Sequence, residues 1–444
     1  MTTVLILGGL AGDGPRQLLP YLFSSDSPSK PAFCRVVDRH LAIPSSDAYT
    51  FFADGRLKQT LKKGAEDKTI EYMQGNLMTE ATRTKVFTLP EAHGKGSEKG
   101  FDYVFDFTGE ADFRAPDIVH VDRTLRLALL LGEAAVNAKV GAYVRALPSF
   151  SKLKSDSENK KGLKVGSEGA GDVEPWGTLS KWHHEAARGL AKIQGLSLVL
   201  LRPAIFYGDY TVTGVTPRLL LGEVYKFENE KMDFLWSENL SCNTCHIDDF
   251  ASALVAAASF AHCLGSRSAI LDAYSVNLPP AFDSNKPFEP LSSGPPVVAA
   301  KKEEKDIRAC VFNVEDGGDT NQKMIAKLIE ESIGVKTGFH GAIVSTFAKL
   351  NLGDVVEDAN EKHLEGWSAL LQASNPPINT TVPISPSVPV DLLSPYPVSL
   401  DSTALKKLTG WSPSRRLDVA TVKASIEGFR KEGFWPNAAP RKSK

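Results

Sequence analysis

The feature that most limits what this chain can fold into lies almost at its start, VLILGGLAGDG from Val4 to Gly14. Four consecutive apolar residues, Val4, Leu5, Ile6 and Leu7, predict a strand buried on both faces, and the glycines after them predict a tight turn into a helix. Gly8, with Gly9 beside it, and Gly14 let the backbone turn sharply and come close to a ligand. A helix through Arg16 to Leu22 would then point its free N–H groups at a diphosphate. The match to G-x-x-G-x-x-G is imperfect, because the middle position is Ala11 with Gly12 next to it. Taken alone the cluster is a weak signal, with a tight strand-to-helix turn that holds no ligand as its alternative.

A second signal accompanies it. The next apolar run, Phe33 to Val37, ends in Asp38, about 24 residues after Gly14, near the spacing of about 20 at which an acidic residue accepts hydrogen bonds from an adenosine ribose. The pair points to a dinucleotide. A carboxylate repels a 2′-phosphate and an arginine attracts one, so Asp38 favours NAD while Arg39 leaves NADP open.

Further strands are predicted at Thr69 to Met73, Tyr103 to Phe107, Ala142 to Ala146, Leu198 to Leu201 and Cys310 to Val314, with helices at Arg123 to Lys139, Thr178 to Gln194, Asp248 to Ala261, Gln322 to Ser332 and Val419 to Lys431. Such alternation specifies an α/β fold, a doubly wound parallel (Rossmann) sheet with ligands at the carboxyl ends of its strands. The expected domains are 1–205, completed by 244–275 and 307–316, for the dinucleotide, and a smaller interleaved substrate domain of 206–243 and 317–444. Ser151 to Gly171 reads as a solvated loop, 279–306 as a flexible insertion rich in proline and serine, and Asn375 to Pro397 as an extended arm.

Composition sets outer bounds. With 444 residues, 42% hydrophobic and 23% charged, the chain can bury a large core. A net charge of -2 gives no broad electrostatic case for nucleic acid or an anionic membrane. No apolar run is expected to reach the roughly 18 residues of a membrane span. The first strand begins at once, so no secretory leader is expected and the chain reads as cytoplasmic. Five cysteines, an odd number without a disulfide framework, suit a reducing compartment. Cys242, Cys245 and His246 spell C-x-x-C-H, a pattern shared by c-type haem attachment, redox dithiols and half of a zinc site. No second ligand pair accompanies it, and buried reduced cysteines beside a strand are the simpler reading; no metal is expected.

Read in order, the motifs resemble the extended short-chain dehydrogenase/reductase superfamily, in its NAD-dependent epimerase/dehydratase group. VLILGG, Asp38, FDYVFDFTGE, KWHHEA, LRPAIFYG, HIDDFASAL, VFNVEDG and LDSTALKKLTGWSP follow one another across most of the chain. The resemblance implies NAD or NADP held by Gly8, Gly9, Ala11, Gly14, Asp38 and Arg39. Asn76 and Leu77 would lie near the adenine, Thr108 and Gly109 after the fourth strand, Lys181 on the nicotinamide ribose, and Arg202 and Pro203 at the passage to the substrate domain. It also implies a small polar or nucleotide-sugar substrate and a homodimer formed through two packed helices.

The chemistry departs from that family. Its enzymes carry a tyrosine four residues before the lysine, where the ammonium lowers the phenol's pKa from about 10 and readies it for proton transfer. Here that position is Gly177, and the neighbouring Trp176 has no proton to exchange at any useful pH. ALPSFS puts Leu147 and Pro148 where a serine is usual and leaves Ser149 or Ser151 as offset substitutes. Tyr207, Tyr143, His183 and His184 are the remaining proton carriers; Lys181, Ser149 and Tyr207 form the expected catalytic set. A positioned acid/base is worth about 10²- to 10⁴-fold. Two expectations follow: an oxidoreductase or epimerase with an atypical active site, or a catalytically inactive dinucleotide-binding sensor or scaffold.

Overall fold

The structure is a computed structural model describing residues 2–28, 30–94, 100–153, 164–168, 172–294, 297–341, 344–345, 348, 351–379, 381–388, 390–393 and 395–441. The chain divides into two compact units. The first comprises Met1–Pro203, Phe250–Val314 and Leu400–Ser412, the second Ala204–Asp249, Glu315–Ser399 and Pro413–Lys444. Residues 400–412, expected in the substrate domain, thus belong to the first unit. Their anchor is a backbone bridge between Leu400 and Val165, and Trp411, whose Nε1–H donates to the Ser252 hydroxyl at 2.8 Å.

The first unit is built on eight strands: β1 (Thr3–Leu7), β2 (Phe33–Asp38), β3 (Ile70–Gln74), β4 (Tyr103–Asp106), β5 (Ala142–Ala146), β6 (Leu198–Pro203), β7 (Val276–Asn277) and β8 (Arg308–Val314). They form one sheet in the order β7-β8-β6-β5-β4-β1-β2-β3, parallel except for the last pair, β7 with β8. The strands β1, β2 and β4 are buried along their whole lengths, as strands in a sheet covered on both faces are. From β1 the chain order runs one way to β2 and β3 and the other way to β4, β5 and β6. That reversal opens a crevice at the carboxyl ends of β1 and β4.

Helices α1 (Asp13–Phe23), α2 (Gly55–Glu66) and α3 (Glu80–Phe87) link the first strands. After β4, Asp117–His120, a π-helical segment Val121–Arg126 and Leu127–Asn137 follow one another without a break as α4, and α5 spans Thr178–Lys192. A π segment inside an α-helix often marks a functional position. The core holds Leu5, Val37, Val104, Leu125, Leu129, Tyr143, Trp182, Ala186 and Leu200.

The described residues of 279–306, expected as a flexible insertion, are largely folded onto α4 and α5. Phe288, Leu291, Ala299 and Ala300 are buried in the main core, and Phe282 packs tilted and Phe288 edge-on against the Trp182 ring, with centroids 4.7 and 6.0 Å away. Arg188 of α5, fully buried, donates to the backbone carbonyls of Leu278, Lys301 and Glu304. The composition suggested disorder; a few aromatic residues and one arginine that satisfies three carbonyls outweigh it. Within Ser151 to Gly171, Ser151–Leu153 is a strand paired with Val173–Pro175, while 154–163 and 169–171 lie outside the described residues. The helix Ile247–Leu264 corrects another expectation, being 18 residues with a mean hydropathy of 1.3, long and apolar enough to cross a bilayer. Over half of it is buried in the fold, Phe250, Ala251, Leu254 and Ala258 among the covered residues, as befits a core helix.

The second unit contains two parallel strand pairs, Ile205–Tyr207 with Thr244–His246 and Met232–Phe234 with Thr337–Phe339. Its helices include Thr216–Phe227, Gln322–Ile333, Leu352–Ala373 and Val419–Lys431. Gly222 permits the close approach of the first two, since a Cβ there would come within 2.8 Å of Ile329. The described residues of the arm from 375 to 397 have little regular structure but are pinned. Val388 exchanges two hydrogen bonds of 2.9 Å with the Asn360 side chain.

Candidate functional site

The turn after β1 has the conformation its glycines predict. Gly8 and Gly9 both have positive φ, 73° and 81°, where L side chains are strained. Space is also short: a Cβ on Gly9 would meet the Phe107 Cβ at 2.9 Å, and one on Gly14 the Phe250 ring at 3.0 Å. Gly8 N–H donates to Val37 O at 2.7 Å and Gly12 N–H to Gly9 O at 2.6 Å. The N–H groups of Gly9, Ala11 and Gly14 find no acceptor among the described residues. Three such donors at the amino end of a helix make an anion cradle.

Asp38 closes the cradle from β2. It is buried, and its carboxylate already accepts from Leu10 N–H at 2.8 Å and from His40 N–H at 3.0 Å, with the His40 ring at 2.9 Å. A carboxylate has about four lone-pair sites, so acceptor capacity remains for a ribose. Arg39 beside it is exposed. One residue was missed from sequence: Asp13 opens α1 with a carboxylate where a diphosphate would want none. Arg16, one turn on, is paired with it in a buried contact, and the same guanidinium lies 3.8 Å from Asp54 and 4.9 Å from the Phe52 ring centroid. The charge of Asp13 is therefore met internally.

Two of the expected adenine contacts serve the fold. Asn76 Oδ1 accepts from Met78 N–H at 3.0 Å, an Asx turn ahead of α3, and the Leu77 side chain is buried in the core. Thr108 and Gly109 follow β4 at the crevice. Thr108 donates to Asp106 through both its N–H and its hydroxyl, at 2.8 and 2.7 Å.

Beneath them lies a polar cluster that sequence reading did not assemble. Arg145 of β5 and Asp106 of β4, both fully buried, form an ion pair, joined by the Tyr143 hydroxyl at 2.8 Å from Asp106. Arg145 also donates to Thr108 O at 2.8 Å. Burial, then the Asp106 charge, holds the Tyr143 phenol well above its ordinary pKa; Tyr143 is a structural donor to a carboxylate. No motif signals this network, because its members lie on different strands about 40 residues apart.

Each member of the expected catalytic set has its own local setting. Lys181 on α5 is half-buried, and its ammonium group has no hydrogen-bond or ion-pair partner among the described residues. Ser149, a candidate donor to substrate, gives its hydroxyl proton to Pro203 O at 2.6 Å. Tyr207 lies in the second unit, buried edge-on against the His246 ring at 5.1 Å, and burial followed by the Asp316 charge pushes its phenol far up. Such a phenol packs; it is not readied to give up a proton. His184 Nε2 is 2.6 Å from Pro279 O, which ties that ring to the insertion. Burial, with the Arg145 cation, lowers His183 to about 3, so it is neutral at physiological pH. Gly177 is the N-cap of α5 with φ 80° and ψ 158°. The position four residues before Lys181 thus stands outside the helix, in a backbone conformation that side chains rarely adopt.

Arg202 and Pro203 end β6. Arg202 is buried, donates to Asn313 Oδ1 at 3.2 Å, and is lowered to about 10 by burial. Cys242, Cys245 and His246 are buried on or beside the Thr244–His246 strand, and all five cysteines are free. Burial raises the thiols of Cys242 and Cys245, the opposite of an activated dithiol. No group of three metal-ligating side chains occurs among the described residues.

No protein-family model and no curated protein matches the sequence. Solved structures do match in three dimensions. UDP-glucose 4-epimerase of Thermotoga maritima, solved with UDP-glucose, aligns with a TM-score of 0.53 over 97% of this chain and 99% of its own, at 15% identity. UDP-glucuronic acid 4-epimerase of Bacillus cereus, solved with UDP-glucuronic acid and NAD, gives 0.52 at 12% identity over 97% and 99%. A dTDP-glucose 4,6-dehydratase variant from Streptomyces venezuelae, solved with NAD, gives 0.53 at 14% over 97% and 98%. At such identities the likeness speaks for architecture, and the architecture is the α/β doubly wound fold shared with these epimerases and the dehydratase.

Proposed function

We propose that the chain binds NAD, in preference to NADP, at the β1–α1 turn and acts on a small polar or nucleotide-sugar substrate, as an oxidoreductase or epimerase with an atypical active site. The observation that carries this reading is the cradle itself: three N–H groups without acceptors, on a turn with two left-handed glycines, at the sheet's reversal point and beside Asp38. The neighbours solved with NAD support it. The N–H groups of Gly9, Ala11 and Gly14 would hold the diphosphate, Asp38 the ribose, and Lys181 the second ribose. The nicotinamide would supply the hydride chemistry. A cytoplasmic setting and a homodimer belong to the same proposal, to be checked by imaging of the tagged protein and by light scattering.

A second reading, a catalytically silent dinucleotide sensor or scaffold, is favoured by Gly177, together with the committed hydroxyl of Ser149 and the buried phenol of Tyr207. Calorimetric titration with NADH and NADPH tests what the two share: micromolar uptake is expected, tighter for NADH, and no saturable uptake of either sinks both. A panel of sugar nucleotides and small carbonyl compounds then separates them. Turnover supports the enzyme; silence despite cofactor uptake supports the sensor.

A further inference from the structure

The loop after β2 begins Asp38, Arg39, His40, and the histidine turns back onto the carboxylate. His40 Nδ1 is 2.9 Å from Asp38 Oδ1, and the same oxygen accepts from His40 N–H at 3.0 Å. The other oxygen, Oδ2, accepts from Leu10 N–H of the glycine turn at 2.8 Å. A carboxylate only accepts, so Nδ1 carries a proton whether the ring is neutral or charged. The second proton is gained and lost at Nε2, which has no partner among the described residues. The Asp38 side chain is 2% exposed and that of His40 30%, so solvent can charge the ring and the buried carboxylate feels that charge at close range.

The loop is fixed where it is. Tyr72 of β3 donates its hydroxyl proton to His40 O at 2.5 Å, Gln74 Nε2 donates to Arg39 O at 3.1 Å, and the Phe51 ring lies tilted 6.0 Å from the imidazole. Among the described residues, the titratable and charged groups about the ring are Asp38 on β2, Arg39 beside it in the chain and Tyr72 on β3. Burial, then the Asp38 charge, holds the Tyr72 phenol up, so it stays neutral, and a guanidinium is always charged. Imidazole is the side chain that ordinarily changes charge between about pH 5 and 8. A 2′-phosphate set against Asp38 would lie two hydrogen-bond lengths, about 6 Å, from the ring. With a neutral ring the pair of Asp38 and His40 carries one negative charge and repels that phosphate; with an imidazolium it carries none.

We propose that His40 regulates the choice of coenzyme by its protonation: the neutral ring leaves Asp38 to turn NADP away, and the imidazolium cancels that charge and admits it. This regulation rests on the dinucleotide reading given above. It acts through Asp38, so His40 is a positioning residue and not a catalytic one. Opposite unit charges about 6 Å apart, at an effective dielectric of about 40 to 80 for a part-exposed site, change an affinity about 3- to 10-fold. Selectivity for NAD over NADP should fall by that factor as the ring takes its proton.

Calorimetric titrations of the full chain with NAD and NADP, at about pH 8 and about pH 5.5 and constant ionic strength, give the ratio of the two dissociation constants. A phosphate monoester itself takes up a proton at about pH 6, so wild type is read against His40→Gln, which keeps a neutral group beside Asp38 at both values. From high to low pH, the wild-type ratio of the NADP constant to the NAD constant is expected to fall about 3- to 10-fold further than that of the variant. His40→Arg, with a fixed cation, should hold the low ratio at both. ¹⁵N-histidine spectra, with His40 assigned through His40→Gln, should show its ring charging between these pH values with Nδ1 protonated throughout. Equal falls in wild type and His40→Gln overturn the proposal, since the phosphate alone then titrates. A ring that keeps one charge across the window overturns it without any variant. No saturable uptake of NAD at either pH is a separate failure, that of the dinucleotide reading, and takes the coenzyme choice with it.

Discussion

Replacing Gly177 by alanine should destabilise the protein, and the sign of that change is the informative part. In the interior of a helix, glycine to alanine stabilises by about 1 kcal/mol. Gly177 is instead the N-cap of α5 at φ 80° and ψ 158°, with its carbonyl accepting from Lys181 N–H at 3.1 Å. That region of backbone space is essentially reserved for glycine, and other residues held there cost about 1–3 kcal/mol. The two cases differ by about 2 kcal/mol or more, over tenfold in the folding equilibrium. Urea unfolding of wild type and Gly177→Ala measures it. Gly177→Tyr should be at least as destabilised and should gain no turnover, because a phenol that must distort the start of α5 does not arrive beside Lys181 in register. An alanine variant as stable as wild type or more so would refute the backbone argument. A tyrosine variant that keeps its stability and gains about 10²-fold or more in turnover would show that only a side chain had been lost.

Arg145→Met should cost about 3–5 kcal/mol, because it leaves the buried Asp106 carboxylate uncompensated. Adding Asp106→Asn should recover a large part of that loss in the same unfolding assay. Trp182→Ala should cost about 3–5 kcal/mol, since the ring is fully buried against Phe282 and Phe288 and its Nε1–H donates to Asp117 at 2.7 Å. Equal stability would show that the 279–306 segment is not truly docked. For pH, burial holds His183 at about 3 in the folded chain against an ordinary 6.5, so the unfolded chain binds its proton first. Stability should be full above about 6.5 and fall as pH drops toward 3. His183→Gln should flatten that acid limb in thermal scans, and an unchanged limb would count against the buried neutral ring. Asp38→Asn should weaken NADH and narrow its preference over NADPH in calorimetry, since the repulsion of a 2′-phosphate goes with the charge.

Much of the architecture was legible because it rests on local rules. Val4–Leu7 could only be a strand covered on both faces, and the Gly8–Gly14 turn, Asp38 and the strand–helix alternation then dictated a parallel sheet with its ligands at one edge. Ala142–Ala146 and Val419–Lys431 form where periodicity puts them. The gap at Gly177 was visible as a missing side chain. Its left-handed backbone was not, since φ depends on how the preceding strand delivers the chain to α5.

Long-range pairing hid the rest. Residues 279–306 have the composition of a linker, yet Phe282, Phe288 and the carbonyls taken by Arg188 bind them to α4 and α5, which no local pattern records. Ser149 and Tyr207 looked available as single letters; a carbonyl 54 residues away and a buried ring beside His246 take them out of use. Sequence alone fixed the sheet, its turn and the carboxylate beside it, because backbone geometry and solvation act within a few residues. Only tertiary structure decided which polar groups are satisfied and which are left facing an empty partner, because burial and hydrogen bonding are settled between segments distant in the chain.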